Sequence, residues 1–324
     1  MNLKRNSFLW LILSLWLLLN GLALANTTKF TILHVNDLHG FLLPFEYEGE
    51  IRGGAPQLAG VIGNIKAENP NTLLLAAGDM IAGTGGNYRR EQLTSGLWGF
   101  RGILDMKVMN LMEFDAMVLG NHEFDYGKRW MTRLVTEADF PVLSANIVHH
   151  DLIAAKQRDG QLIVSPYQIF ERGGLRIAVV GVTTNKDMQT RQIQVIDPSD
   201  AIRELLPEIK SKSDLIVVLS HLGLGNDRKL AQELSGEIDV IIGGHSHILT
   251  KEPYYEGDTM IVHVGKWGVN LGVLDLLVDN KENVIKSEFK VIPIVEKTPA
   301  DYKLSKFIEE SLIFGEVVGG ELWS

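Results

Sequence analysis

An α/β fold, in which helices cover sheets, is predicted by two features of the chain. Apolar runs of strand length alternate with segments of helical spacing or turn residues, and five of those runs end directly in a cluster of Asp, Asn or His. The second feature bears on function, because α/β sheets bind ligands at the carboxyl ends of their strands, where loops converge on one rim.

In chain order the predicted strands are Phe30 to Val35, Thr72 to Ala76, Ala116 to Leu119, Val142 to Ser144, Leu175 to Val180, Leu215 to Leu219, Val240 to Ile242, Met260 to Val264 and Val273 to Val278. Between them, Leu58, Ile62 and Ile65 fall on one face of a helix, as do Leu104, Val108, Leu111 and Met112, and Trp130, Leu134 and Ala138. These stripes read as core packing.

Ahead of the first strand, a basic MNLKRN segment, an apolar core from Phe8 to Leu19 and the small-x-small triplet Ala23-Leu24-Ala25 have the organisation of a cleaved leader. The apolar core is short against the roughly 20 residues of a spanning helix, and every later hydrophobic run is interrupted by Gly, Asp or His. Residues 1 to 25 are therefore expected to be a signal peptide, with the product exported to the periplasm or the exterior and no stable membrane span after cleavage.

Cleavage removes two basic residues, leaving 29 Lys and Arg against 40 Asp and Glu, a net charge of −11. That balance argues against binding nucleic acid through a basic face. An anionic substrate would then have to be attracted by local positive charge, which bound metal supplies. The chain has no cysteine, so it has no disulfides and any metal site must use nitrogen and oxygen donors. No low-complexity run, Pro-rich linker or internal repeat divides it.

The five polar strand ends read ILHVNDLHG, LLLAAGDM, AMVLGNHEFDYG, IVVLSHLG and VIIGGHSH. Five of the nine histidines, His39, His122, His221, His245 and His247, lie in them together with Asp37, Asp79 and Asn121. Singly each has a bland explanation: a turn carboxylate and surface histidine for Asp37-x-His39, a helix cap for Asp79, a tight turn for Gly243-Gly244. Jointly they supply the donors that divalent transition metals accept when thiolate is absent. Seven ligands are too many for one ion that keeps an open position, but suit two ions sharing a bridge, for which Asp79 is the candidate. His122 follows the neutral amide of Asn121 and is free to act as an acid. Asp125, three residues on, can fix its tautomer if the segment turns helically. Glu123 reads as structural.

These motifs, in this order, resemble the calcineurin-like metallophosphoesterases, and specifically the catalytic domain of the bacterial 5′-nucleotidase and 2′,3′-cyclic-nucleotide phosphodiesterase family. The likeness runs from about Lys29 to about Pro293 and includes ENPNTLLLAAGDM, FPVLSANI, GGLRIAVVGVTT and GKWGVNLGVLDL. The resemblance implies a four-layer α/β/β/α sandwich. It also implies one metal held by Asp37, His39, Asp79 and His247 and the other by Asp79, Asn121, His221 and His245, with His122 and Asp125 as a catalytic dyad near the leaving group. The expected cofactors are two divalent ions among Mn, Zn, Co, Fe and Mg. The expected reaction is hydrolysis of phosphate esters, nucleotides foremost, by in-line attack of a metal-bound hydroxide. Cyclic-nucleotide or other ester hydrolysis on the same site, or a non-catalytic binding protein that kept the fold, are the alternatives.

Of the remaining histidines, His149 and His150 read as solvated loop residues and His34 as packed or hydrogen-bonded within a strand. An approach of His263 to the site is left open. The catalytic domain is expected to span residues 26–297. For 298–324 a linker-like helix and tail are expected, with Thr298, Pro299 and Asp301 placed like an N-cap, a first helical residue and a capping-box acid, and Tyr302, Phe307 and Leu312 lining the helix. A second, nucleotide-binding domain of the two-domain relatives is expected to be absent, which leaves open a single-domain enzyme, an interrupted product, or a partner chain that supplies it.

Overall fold

A computed structural model describes residues 27–81, 102–148, 164–186, 188, 193–279 and 284–314. The expected leader, and His149 and His150, lie outside the described residues. Sixteen strands are described: β1 (Thr28–Val35), β2 (Phe45–Tyr47), β3 (Glu50–Arg52), β4 (Thr72–Ala76), β5 (Ala116–Val118), β6 (Val142–Leu143), β7 (Ile147–Val148), β8 (Tyr167–Arg172), β9 (Leu175–Thr183), β10 (Gln194–Val195), β11 (Leu215–His221), β12 (Val240–Gly243), β13 (Tyr254–Glu256), β14 (Thr259–Val262), β15 (Asn270–Val278) and β16 (Val284–Pro293). The α-helices are α1 (Ala55–Glu68), α2 (Ile103–Leu111), α3 (Lys128–Thr136), α4 (Pro198–Lys212), α5 (Leu224–Glu233) and α6 (Tyr302–Phe314).

Two six-stranded sheets dominate. Sheet I has the order β16-β15-β1-β4-β5-β6 and sheet II the order β13-β14-β12-β11-β9-β8. Each has a parallel centre: β1, β4, β5 and β6 run parallel in the first, and β9, β11, β12 and β14 in the second. Parallel strands buried on both faces need apolar residues at every position, which explains why TLLLA and LIVVL read as continuous runs.

Alternation along those runs builds the layers. Phe30, Ile32, Leu73 and Leu75 from sheet I meet Ile177, Val179, Val217 and Leu219 from sheet II in one buried core. Leu33, Val35 and Leu74 face the other way, into a core shared with Leu58 of α1, Leu104 of α2, Leu134 of α3 and Ile308 of α6. On the far side of sheet II, Val180 and Val218 pack with Ile202 of α4 and Leu230 of α5. The result is the expected four-layer α/β/β/α sandwich.

Several details correct the expectations. Leu111 is 55% and Tyr302 77% exposed, whereas the other expected positions face the core: Leu104, Val108 and Met112 at α2, and Phe307 and Leu312 of α6 beside the buried Leu304 and Ile308. The cap of α6 is Asp301, whose Oδ1 accepts the Leu304 N–H at 2.8 Å, while Thr298 Oγ1 instead accepts the Val295 N–H at 3.0 Å. Thr298 therefore closes the turn after β16, one step before the helix. His34, expected to be packed or hydrogen-bonded, is packed: its side chain has no hydrogen bond, is fully buried and stacks on Phe289 at 5.9 Å, with its pKa lowered to about 3 by burial, then by the field of His263.

Candidate metal centre

The five polar strand ends come from both sheets. β1, β4 and β5 deliver Asp37, His39, Asp79 and Asn121, and β11 and β12 deliver His221, His245 and His247. The single expected rim is therefore two rims, brought together because the sheets pack face to face with their parallel strands ending at one side of the sandwich.

The loops turn sharply there. Asp37, His39, Asp79, His245 and His247 all have positive φ, between 50° and 71°. That conformation is uncommon outside glycine, although Asp and His tolerate it better than most residues, and strained backbone of this kind clusters at functional sites. Five of the eight non-glycine residues with positive φ among the described residues are candidate ligands. Asp79 thus sits in a left-handed turn after β4 and caps no helix.

Hydrogen bonds fix each carboxylate so that one oxygen is held and the other is left over. Asp37 Oδ2 accepts from Asn36 Nδ2 at 2.7 Å and from the His245 N–H at 3.0 Å. Its Oδ1 is buried without a hydrogen-bond partner, 3.2 Å from His247 Nε2 and 3.6 Å from His39 Nε2. Asp79 Oδ1 accepts the His122 N–H at 2.8 Å, and Oδ2 lies 3.0 Å from His221 Nε2. His221 Nε2 is itself buried without an aligned partner, while its Nδ1 donates to the Ala77 carbonyl at 2.6 Å. Gly244 is required here by close approach, since a Cβ would stand 2.4 Å from that same carbonyl oxygen.

Nitrogen and oxygen donor atoms turned towards one another at these distances are what a cation would satisfy. His39 Nε2 and His247 Nε2 lie 3.0 Å apart, close to the roughly 3–3.5 Å between two donors that each stand about 2.0–2.2 Å from one ion. Three groups of donors have this character: Asp37, His39 and His247; His39, Asp79 and His122; and Asp79, His221 and His245. Asp79 and His39 each belong to two of them, but only Asp79 links His39 with His221 and His245, as a bridge would. Asn121 Oδ1 joins the last, 3.0 Å from His245 Nδ1. The donor set, all nitrogen and oxygen with two carboxylates, fits two divalent ions.

Electrostatics agree with the geometry. Burial alone would raise the Asp37 carboxyl, but the His247 and His39 imidazoles hold it well below the usual range. Burial opposes a charge on His221, yet the field of Asp79 and contact with it raise its pKa to about 10. A bound cation would take the place of that proton.

His122 stands apart from the ligand candidates through its partner: its side chain, 19% exposed against 29% for His247, is held by Asp125. Asn121 and Asp125 flank a 3-10 turn over His122–Phe124, which brings His122 Nδ1 within 2.7 Å of Asp125 Oδ2. The ring's other nitrogen, Nε2, is 4.0 Å from Asp79 Oδ2. Burial disfavours the imidazolium, but the Asp125 bond and the fields of Asp79 and Asp125 outweigh it and lift the pKa to about 9. Glu123 has the structural place expected of it: fully buried, it accepts the N–H groups of Asp79, Met80 and Gly120 at 3.1, 2.8 and 2.7 Å. His263 does not join the donor groups; it pairs with Asp227. Asn36 was not anticipated. Besides holding Asp37, it donates to the Gly265 carbonyl at 2.6 Å and accepts the Val264 N–H at 3.2 Å, tying β1 to the loop after β14.

Fold and site together define a two-metal phosphoesterase architecture, and residues 30–249 match the family model described as Calcineurin-like phosphoesterase. The chain belongs to that family. It is 36% identical over 239 residues to a Treponema pallidum (strain Nichols) protein named "Probable 5'-nucleotidase", covering 69% of this chain and 38% of that one. It is 31% identical over 306 residues to the 5'-nucleotidase of Vibrio cholerae serotype O1, covering 83% and 52%. Among solved structures, the 5'-nucleotidase precursor from Thermus thermophilus superimposes with a TM-score of 0.75 at 27% identity, covering 89% of this chain and 59% of that one. The chain thus spans less than two thirds of the length of these relatives. No helix among the described residues is long and apolar enough to cross a membrane.

Proposed function

We propose that this chain hydrolyses phosphate esters, nucleotides foremost, at a centre where Asp37, His39, Asp79 and His247 would hold one divalent ion and Asp79, Asn121, His221 and His245 the other. The observation that carries this is the convergence of both sheets on Asp37 Oδ1 and His221 Nε2, buried atoms left without hydrogen-bond partners among donors that suit a metal. When bound, the two ions supply Lewis acidity to the phosphoryl group and make water more acidic.

The protein's own residues do the rest. Asn36 and the His245 N–H hold Asp37 in one orientation, and Glu123 gathers the N–H groups of three residues around Asp79, so the ligand set is preorganised. Asp125 pins Nδ1 of His122 and leaves Nε2 as the face that can donate to a departing ester oxygen. That proton leaves on the ester oxygen, and the dyad is reset by uptake from water.

Replacing His122 with Ala should lower kcat by about a hundred- to ten-thousand-fold with both metal equivalents retained. Loss of metal in that variant would refute the acid role. A panel of a nucleoside monophosphate, a cyclic nucleotide and an aryl phosphate reads out substrate class. Export of the protein follows from the leader composition of residues 1–25, and a mature N-terminus at Asn26 is its check. A second domain contributed by a partner chain would raise activity on nucleotides over aryl phosphate when that chain is added.

A further inference from the structure

Behind the loops that carry His221 and His245, three fully buried polar residues form a hydrogen-bonded set, with His263 Nδ1 left without a hydrogen-bond partner. Asp227, in the first turn of α5, accepts from Ser220 Oγ through Oδ1 at 2.5 Å and from His263 Nε2 through Oδ2 at 2.7 Å. Ser220 Oγ also accepts the Leu222 N–H at 3.2 Å. All three residues are 0% exposed. Burying a carboxylate and its partners is costly and is often no more stabilising than apolar packing of the same volume, so fold stability alone is a weak reason for the set.

Its placement gives a better one. Ser220 directly precedes His221, and it is the register partner of Gly243, two residues before His245. The Ser220 carbonyl accepts the Gly244 N–H at 2.9 Å. A Cβ on Gly243 would lie 2.1 Å from His263 Nε2 and 2.4 Å from Asp227 Oδ2, so the His263–Asp227 bond rests directly on the last residue of β12. His263 is fixed in turn, its N–H donating to Thr250 Oγ1 at 3.0 Å and its carbonyl accepting the Thr250 N–H at 3.0 Å. The set therefore clamps the ends of β11 and β12 and the residue after β14 to α5. The backbones of Asp37 and His39 are anchored otherwise, their N–H groups donating to the carbonyls of Gly78 and Asp79 at 3.0 Å each, and the Asp37 carboxylate meets the sheet II loop through the His245 N–H at 3.0 Å.

We infer that Ser220, Asp227 and His263 are positioning residues for the half of the metal centre supplied by His221 and His245. They set the register in which both imidazoles reach Asp79 and Asn121. This rests on the metal-centre reading given above, and it predicts an asymmetry: Ser220 adjoins His221 and Gly243 stands two residues before His245, while His247 lies farther along the loop and Asp37 is reached through the His245 N–H, so loosening the set weakens one metal equivalent more than the other.

The test is calorimetric titration of manganese(II) into the metal-stripped full chain, with circular dichroism to confirm folding. His263→Ala should weaken one equivalent by about ten- to hundred-fold, the range typical of residues that orient metal ligands, and the other by clearly less, about a few-fold. His263→Gln, which keeps an N–H donor towards Asp227, should restore most of that loss. If His263→Ala does not fold, Ser220→Ala carries the test, because Asp227 then keeps its His263 donor; about a ten-fold weakening of one equivalent is expected. Parental affinity for both equivalents in a folded His263→Ala or Ser220→Ala variant, while His221→Ala loses one, overturns the inference and leaves the metal centre standing. If His221→Ala itself keeps both equivalents, the ligand assignment is what fails.

Discussion

The two sheets contribute different chemistry to the centre they share. Sheet I supplies Asp37, His39, Asp79 and Asn121, three oxygen donors and one imidazole, and sheet II supplies only imidazoles, from His221, His245 and His247. The ground behind the ligands differs too. Behind sheet I lie two buried carboxyls: Glu123, saturated by backbone N–H groups, and Asp105 on α2, whose Oδ1 has no partner. Behind sheet II the buried carboxyl of Asp227 is paired on both oxygens. Sheet I thus supplies the two carboxylates whose charge a cation would answer, and sheet II supplies imidazoles whose loops are held by the bonds of Asp227 to Ser220 and His263. Neither half is a site alone, so cations would join the sheets as well as serve the chemistry.

The largest expected effect comes from the residue common to both ions. Asp79→Asn should weaken both metal equivalents together and lower kcat at least about a thousand-fold, since several kcal/mol of Lewis-acid stabilisation are lost. Elemental analysis of the variant gives the check, and full two-metal occupancy would remove the bridging assignment. On sheet II the effect should divide. His247→Ala should weaken the equivalent at Asp37 and His39 by about ten-fold or more and spare the other, and His221→Ala should do the reverse. Identical binding profiles for the two variants would erase the distinction between the halves.

Metal removal is expected to act on the fold itself. At a hundred-fold excess over Kd, each site that binds only the folded state contributes about 2.7 kcal/mol. Chelation should therefore lower Tm measurably, and His247→Ala, with one site weakened, should show a smaller drop than the parent. An unchanged Tm would mean that the sheets hold their register without cations.

How far the sequence disclosed this division follows from the range of each signal. The central strands were legible because burial on both faces demands unbroken apolar runs. The edge strands β8 and β16 were not, because YQIFER and VIKSEFKVIP mix exposed and partly buried positions. Helix α4 went unnamed, although Asp197, whose Oδ1 accepts the Ser199 and Asp200 N–H groups, and Pro198 are start signals and Ile202, Leu206 and Ile209 form its apolar face. The candidate ligands could be picked out because each lies at a strand end or within a few residues of one. Their assignment to two sheets was not, since periodicity reports which face is buried and never which sheet a strand joins. The Asp227–His263 pair spans 36 residues, and Asp227 lies in a polar helix that reads as surface.

The smallest effect separates the two backgrounds. Asp105 is fully buried with its pKa raised from 3.8 to about 7, chiefly by burial, with Glu123 adding to it. Its own backbone N–H pulls the other way. Below about pH 4 both folded and unfolded chains hold the proton, and stability is undiminished. As pH rises from about 4 to about 7 the unfolded chain releases it while the folded chain keeps it, so stability falls across that window and stays low above it. A shift of this size corresponds to an upper bound of about 4 kcal/mol. Asp105→Asn removes the charge but buries an amide short of partners, at a cost of about 1–3 kcal/mol. The net gain expected at pH 8 is about 1–2 kcal/mol, read as a higher midpoint in urea, and it should vanish or reverse at pH 4. Asp227→Asn, which disturbs a carboxylate already paired on both oxygens, should bring no such gain at pH 8. Equal responses of the two variants would show that the buried acids behind the two sheets differ in address only.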